Sequence, residues 1–202
     1  MTNHWIDIGN CDVILIMGSN AAENHPISMK WVNKARENGA KLISVDPRFT
    51  RTSAVADIYA PMRSGTDIAF LGGMINYVLE NGLIHEEYVQ EYTNASFLLD
   101  EGFSFDDGVF SGYGDGSYDR STWAFQTGDD DVILKDKTLE NPNCVYQFLK
   151  SHYSRYDTAT VSAITGTPEA KLTEVYQAYV DACYQPGTAG TIMYAMGWTQ
   201  HT

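Results

Sequence analysis

The chain has 202 residues, 44% of them apolar and 19% charged, which is enough for a packed core and too apolar for wholesale disorder. Acids outnumber lysines and arginines 26 to 13, and the net charge of −13 argues against nucleic acid or an anionic membrane as a partner. Three isolated cysteines with no CxxC argue against an internal iron–sulfur or zinc site, and no run of about 18 apolar residues suggests a membrane span.

Taken in chain order, MTNHWIDIGN has neither a basic n-region nor an apolar h-region, so the chain carries no signal peptide of its own. VILIM at 13–17 reads as a buried strand ended by Gly18-Ser19-Asn20. Pro26 opens a predicted helix to about Asn38, with Ile27, Met29, Trp31 and Val32 as its bulky apolar positions. KLISV at 41–45 is a second strand, ended by Asp46-Pro47-Arg48. IYAPM at 58–62 is a third, which Pro61 places at an edge or a strand end. After Arg63-Ser64-Gly65-Thr66-Asp67, a helix is expected with Ile68, Leu71, Met74/Ile75 and Val78 on one face, stopped at Asn81-Gly82.

A short helix is expected over 85–92, and then the periodicity fails across 93–141. That stretch is rich in Gly, Asp and aromatics; residues 100–140 hold 11 acids and 3 bases, a local net of −8. WAFQTGDDDVILK reads as a hairpin turning at Gly128-Asp129. Helical signals return at Asn141-Pro142, Asp157 and Thr167-Pro168; the last helix has Leu172, Val175/Tyr176, Tyr179/Val180 and Cys183 on one stripe. TIMYAM, after a turn at Gly187 to Gly190, is a strand that joins the same sheet. The expected fold class is α/β: a doubly wound, mostly parallel, Rossmann-like sheet with helices on both faces and a long irregular acidic insertion. The domain reading is one α/β domain over 1–202, with 93–141 as the insertion.

In a parallel sheet, four strand ends share the carboxyl edge, where ligands of open α/β folds bind. Gly18 allows close backbone approach, Ser19 and Asn20 offer donors and acceptors, and the helix near Pro26 aims its dipole at an anion. Asp46, 28 residues after Gly18, could accept from ribose hydroxyls. Arg48, Arg51 and Arg63 are the phosphate neutralisers by type. Asp67 could cap its helix, read a guanine edge, or do both. Read singly, these are ordinary turns and caps: GSN and Asp46-Pro47 as turns, His25 as a local cap or a solvated side chain. His4, His85 and His152 read as structural or solvated, and Asp129-Asp130-Asp131 as a solvated turn. Their coincidence on one edge points to a dinucleotide-like ligand. GSNAAENHP lacks the second and third glycines of GxGxxG, so a nicotinamide dehydrogenase is poorly supported. A stand-alone nucleotide-binding domain without catalysis is the other alternative. The sequence contains no nucleophile elbow, no metal-ligand triad and no cysteine with an evident catalytic partner.

GSNAAENHP, VDPRFTRTSAVAD, RSGTDIAFLGG, EYTNAS and MYAMGWTQH together resemble the catalytic α subunit of respiratory formate dehydrogenases, within the dimethyl sulfoxide reductase family. The resemblance covers essentially the whole chain, including TNHWIDI, CVYQFLKSHYSRY and ITGTPE. Ser53 stands where alanine is usual in the second motif. The family binds molybdenum or tungsten through two molybdopterin guanine dinucleotides, and the resemblance implies that this chain holds one of them. It implies that Gly18, Ser19, Asn20, Glu23 and His25 line the first pocket and that Asp46, Arg48 and Thr50 serve ribose and phosphate. Gly65, Thr66 and Asp67 would receive the guanine end; Gly197, Trp198, Thr199, Gln200 and His201 would approach the pterin. It implies no catalytic residue and no metal ligand here. In such enzymes a 4Fe–4S segment and a selenocysteine or cysteine ligand come before the matching stretch. A catalytic Arg and the second dinucleotide domain come after it.

Met1 is therefore expected to be an internal methionine just downstream of an in-frame UGA, which the upstream DNA would reveal. The parent enzyme is expected to oxidise formate to carbon dioxide in anaerobic respiration, passing electrons to iron–sulfur clusters. Its expected partners are the remainder of the α subunit and an iron–sulfur β subunit, with no nucleic acid and no direct membrane insertion. Its expected compartment is the periplasm, reached by the twin-arginine route.

Overall fold

The computed structural model describes residues 3–200. A 3-10 helix, Trp5–Asn10, opens the described chain, and the His4 imidazole accepts from the Ile6 N–H at 3.2 Å at its start. It leads into β1 (Val13–Met17), whose five residues are all buried. Such a continuous apolar run is what a strand covered on both faces requires. A single turn, α1 (Ala21–Asn24), precedes α2 (Pro26–Glu37), which has Pro at its first turn and ends where Gly39 adopts φ +102°. β2 (Lys41–Val45), α3 (Arg51–Val55) and β3 (Ile58–Ala60) follow. β3 stops before Pro61 and lies at the sheet edge, where a residue without an N–H is tolerated.

The long α4 (Asp67–Asn81) ends on Gly82 in the left-handed region, and α5 (Glu86–Tyr92) is next. Four two-residue strands come after it: β4 (Phe105–Asp106), β5 (Val109–Phe110), β6 (Tyr113–Gly114) and β7 (Ser117–Tyr118). Then come α6 (Val145–Tyr153), α7 (Thr158–Thr165), α8 (Glu169–Tyr184), β8 (Gly190–Tyr194) and a final turn α9 (Met196–Thr199). None of the described helices is long and apolar enough to cross a membrane.

The main sheet has the order β3-β2-β1-β8, and every pairing is parallel. Val13 lies opposite Lys41 and Gly190, and Met17 opposite Val45 and Tyr194, so the strands end nearly level. Alternate residues separate two cores. Val13, Leu15, Met17, Ile43 and Val45 meet Phe70, Val161, Leu172, Val175 and Tyr176 from α4, α7 and α8. Ile14, Ile16 and Leu42 meet Ile8, Val32 and Ala35 from the 3-10 turn and α2. The sheet is therefore doubly wound, as the strand–helix alternation predicts.

The stripe read for α4 holds at Leu71, Met74 and Val78, which pack in the first core, but needs correction at its isoleucines. Ile68 and Ile75 are 73% and 38% exposed, whereas Ala69, Phe70, Gly73 and Met74 are buried. The cause is the Gly72-Gly73 pair, whose bare backbone lies against the rings of Tyr156 and Tyr176. Small residues here admit large partners, which brings the glycine face inward and leaves Ile68 and Ile75 toward solvent. Tyr176 is fully buried and donates its hydroxyl to the Phe70 carbonyl at 2.8 Å; burial pushes its phenol far above the ordinary range.

The chain divides into two compact units, the described parts of Met1–Leu83 with Tyr156–Thr202, and Ile84–Arg155. The second is broader than the 93–141 segment, because α5 and α6 belong to it. Within it the expected hairpin forms: Gly128 donates to Val132 O and Leu134 donates to Gln126 O, each at 2.9 Å.

Candidate dinucleotide-binding groove

β2 lies on one side of β1 and β8 on the other, so the strand order reverses between β1 and β8. Two loops diverge from such a switch point and leave a crevice at the carboxyl edge. A groove of about 1170 Å³ lies there.

Its centre is a backbone crossing. Gly18, at φ +68°, accepts the Gly197 N–H on its carbonyl at 3.1 Å. A methyl at Gly18 would meet Trp198 N at 2.9 Å, and one at Gly197 would meet Gly18 Cα at 2.6 Å. Both positions therefore require glycine for close approach, and Gly18 requires it for its backbone conformation as well.

Ser19, Asn20 and His25 of the first loop line the groove. Asn20 also ties that loop to α3. Its Oδ1 accepts from the Thr52 hydroxyl at 2.9 Å, and its Nδ2 donates to Glu23. Glu23 in turn pairs with Arg51 at 3.2 Å, outside the groove lining. His25 makes no side-chain cap to α2; its ring stacks on Trp5 at 6.1 Å.

Asp46 and Arg48 line the groove from the second strand end. Asp46 Oδ1 accepts the Arg48 N–H at 2.8 Å, which fixes the turn. Thr50 lies inside, 7% exposed, as the N-cap of α3: its hydroxyl accepts from Ser53 N and the Ser53 hydroxyl accepts from Thr50 N, both at 3.2 Å. The unusual Ser53 thus closes a capping box and also bonds the buried Ser44 hydroxyl at 3.0 Å.

Of the three arginines singled out for phosphate, Arg48 alone lines the groove among the described residues. Arg51 is committed to Glu23. Arg63 Nη1 donates to the Ala163 and Ile164 carbonyls at 2.7 and 2.9 Å, where α7 ends and its carbonyls lack helical partners. At the third strand end Ser64, Gly65 and Asp67 line the groove, and the Thr66 hydroxyl turns back to Arg63 O at 2.7 Å.

At the fourth end Gly197 and Thr199 line the groove, while Trp198 packs against the core and stacks on Tyr194 at 4.9 Å. The buried Trp198 Nε1 has no hydrogen-bond partner among the described residues. Gln200 is not in the lining, and His201 lies outside the described residues.

Chemical reading of the strand ends missed one wall. Asn3, His4, Trp5, Asp7, Asn10 and Cys11 also face the groove. The 3-10 turn that presents them has no strand-and-glycine signature, and TNHW was informative only through its resemblance. Burial, with Asp12 and Asp7 nearby, raises the Cys11 thiol above its ordinary value, so this wall carries a neutral thiol.

A parallel sheet of this order, with glycine loops crossing at the switch point and polar groups along a long groove, defines an open, doubly wound α/β protein with a ligand-sized crevice at its carboxyl edge. Comparison with known proteins narrows the class. The chain belongs to the molybdopterin oxidoreductase family, whose profile matches residues 1–202. Membership implies a molybdopterin cofactor. Among curated relatives, the formate dehydrogenase subunit alpha of Megalodesulfovibrio gigas is 57% identical over 204 residues, and formate dehydrogenase 2 subunit alpha (cytochrome c-553) of Nitratidesulfovibrio vulgaris is 53% identical. The nitrate-inducible formate dehydrogenase major subunit of Escherichia coli is 50% identical. Each match covers 100% of this chain and 20% of the relative, so the chain spans about a fifth of their length. Their names as alpha or major subunits imply further subunits in those enzymes. Among solved structures, acetylene hydratase from Pelobacter acetylenicus matches with a TM-score of 0.60 at 21% identity, over 94% of this chain and 19% of that one. That likeness supports the fold.

Proposed function

We propose that this chain holds one molybdopterin guanine dinucleotide within the catalytic subunit of a formate dehydrogenase. The observation that carries this reading is the end-to-end identity of 50–57% with formate dehydrogenase α and major subunits. The groove supports it independently, since its donors suit a long anionic ligand. The loop after β1 and the Arg48 guanidinium would hold phosphate, with Arg as the forked, permanently charged donor. Asp46 would accept from ribose, and Asp67 would accept from the guanine edge.

When bound, the cofactor supplies a molybdenum or tungsten centre that exchanges electrons with substrate. The residues of this chain bind it, orient it and exclude water from one side of it. The complete subunit would oxidise formate to carbon dioxide, with 4Fe–4S clusters and a β subunit receiving electrons, in the periplasm after twin-arginine export. The 202-residue chain alone would show no formate-dependent dye reduction.

Calorimetric titration of the chain with GDP, ADP and NADH tests the reading. The expected outcome is preference for GDP, weakened about tenfold by Arg48→Ala through loss of a charge-assisted contact. Tighter binding of NADH than of GDP would overturn it.

A further inference from the structure

The second unit contains two hairpins that the dinucleotide site does not use. β4 pairs with β5 and β6 with β7, each pair antiparallel. Each turns through an Asp-Gly pair in the left-handed region: Asp107 and Gly108 at φ +46° and +85°, Asp115 and Gly116 at +51° and +75°. This is the tight turn whose twist matches paired strands. Two-residue ladders are marginal by themselves, so side chains must hold them. Rings do so in a continuous series. Tyr113 meets Tyr118 at 5.0 Å, Tyr118 meets Trp123 at 5.1 Å, Trp123 meets Phe110 at 5.1 Å, and Phe110 stacks on Phe105 at 4.8 Å.

The series is half open to solvent. Tyr113 is 58% exposed, Val109 45%, Phe110 40% and Tyr118 36%. Exposed apolar surface gathered in this way on a small unit marks a contact site. The same stretch, 100–140, carries the local charge of −8. Among the described residues, Asp107 is the one acid of 100–135 in an ion pair, with Arg155. The surface already holds a guanidinium on a ring: Arg120 lies 5.4 Å from the Trp123 centroid.

We propose that the two hairpins form a docking face for an arginine-rich surface of a partner protein. Guanidinium groups stack on exposed tyrosines and pair with adjacent carboxylates, so one side-chain type answers both features of the patch. The rings are preorganised by the hairpin turns and by the Trp123 Nε1 bond to Ser111 O at 3.0 Å, so little order is lost on binding. A second copy of the chain is disfavoured, because it would set the same carboxylates against each other. Nucleic acid and anionic lipid are repelled by the same charge.

The test is fluorescence anisotropy of labelled nona-arginine titrated with the 202-residue chain at low salt. Tyr113→Ala/Tyr118→Ala leaves the net charge unchanged and is expected to lower affinity about tenfold. Asp115→Asn/Asp119→Asn, in which Asn at 115 keeps the left-handed turn and Asn at 119 can still accept from Ser121 N–H, should lower it comparably. Glu169→Gln/Glu174→Gln on α8 removes the same charge elsewhere and should leave binding unchanged. Nona-lysine should bind more weakly than nona-arginine. If circular dichroism shows that the tyrosine pair fails to fold, the aspartate pair and the lysine comparison decide. Binding indifferent to the hairpin substitutions, or lowered as much by the remote glutamates, overturns the proposal.

Discussion

At Gly73 an added methyl would meet Val161 Cγ2 at 2.9 Å and overlap the Tyr176 hydroxyl. Alanine would contribute about 1 kcal/mol of helix propensity. It would also force a fully buried ring away from its bond to Phe70 O. Gly73→Ala should therefore destabilise the chain by about 1–3 kcal/mol in urea melts. Combining it with Tyr176→Phe should recover part of that loss, since the colliding oxygen is gone. Ser53 offers a second case. Its replacement by alanine leaves Thr50 N and the Ser44 hydroxyl without their partner, at a cost of about 1–2 kcal/mol by the same measurement. An unchanged melting curve would show that water replaces both bonds.

Among the elements, the links between helices and strands separate scaffold from site. Asp57 sits before β3, pairs with Arg36 of α2 at 2.8 Å and accepts the β2 N–H of Leu42 at 2.7 Å. Burial alone would raise its carboxyl, but these two partners hold it below the ordinary value. Because the folded pKa lies below the unfolded one, its stabilisation is complete above the unfolded value, about 3.9. It is lost as pH falls through the folded value. Asp57→Asn should flatten that acid limb, as urea melts between pH 2 and 5 would reveal. Arg63 and Arg48 should behave in opposite ways. Arg63→Ala should lower stability by freeing the α7 carbonyls while leaving GDP affinity intact; Arg48→Ala should lower affinity with little change in melting.

That contrast marks where sequence reading failed. Guanidinium type suggested phosphate for Arg63, but its carbonyl partners lie 100 residues away and leave no local trace. β1, β2 and β8 were legible, because strands buried on both faces are apolar without interruption. The α8 stripe was legible by its helical period. The α4 stripe was legible at Leu71, Met74 and Val78 but not at Ile68 and Ile75, because glycine that admits a ring is indistinguishable in sequence from glycine that merely weakens a helix. Four strand ends were legible as one site through the parallel topology, but the 3-10 wall beside them was not.

For the whole molecule, the carboxyl edge is unusually apolar beyond its polar lining. Ile27 is 77% exposed, Phe49 66%, Ile68 73% and Met196 60%, each at or within two residues of a groove-lining position. Apolar residues gathered about a ligand groove suit coverage by further protein. The chain alone should bind an apolar fluorescent dye in its native state, and Ile68→Ser/Met196→Ser should reduce that signal without lowering the melting temperature. A signal indistinguishable from that of denatured chain would contradict this.

The crossing of Gly18 and Gly197 also sets an order of events. β8 follows every other described strand in sequence, yet it pairs with β1, and the Ala189 N–H bonds Asp12 across 177 residues. Contacts so distant in sequence form slowly, after their loop is closed. The groove therefore has no floor until β8 docks, and a ligand that arrives earlier meets only half of its lining.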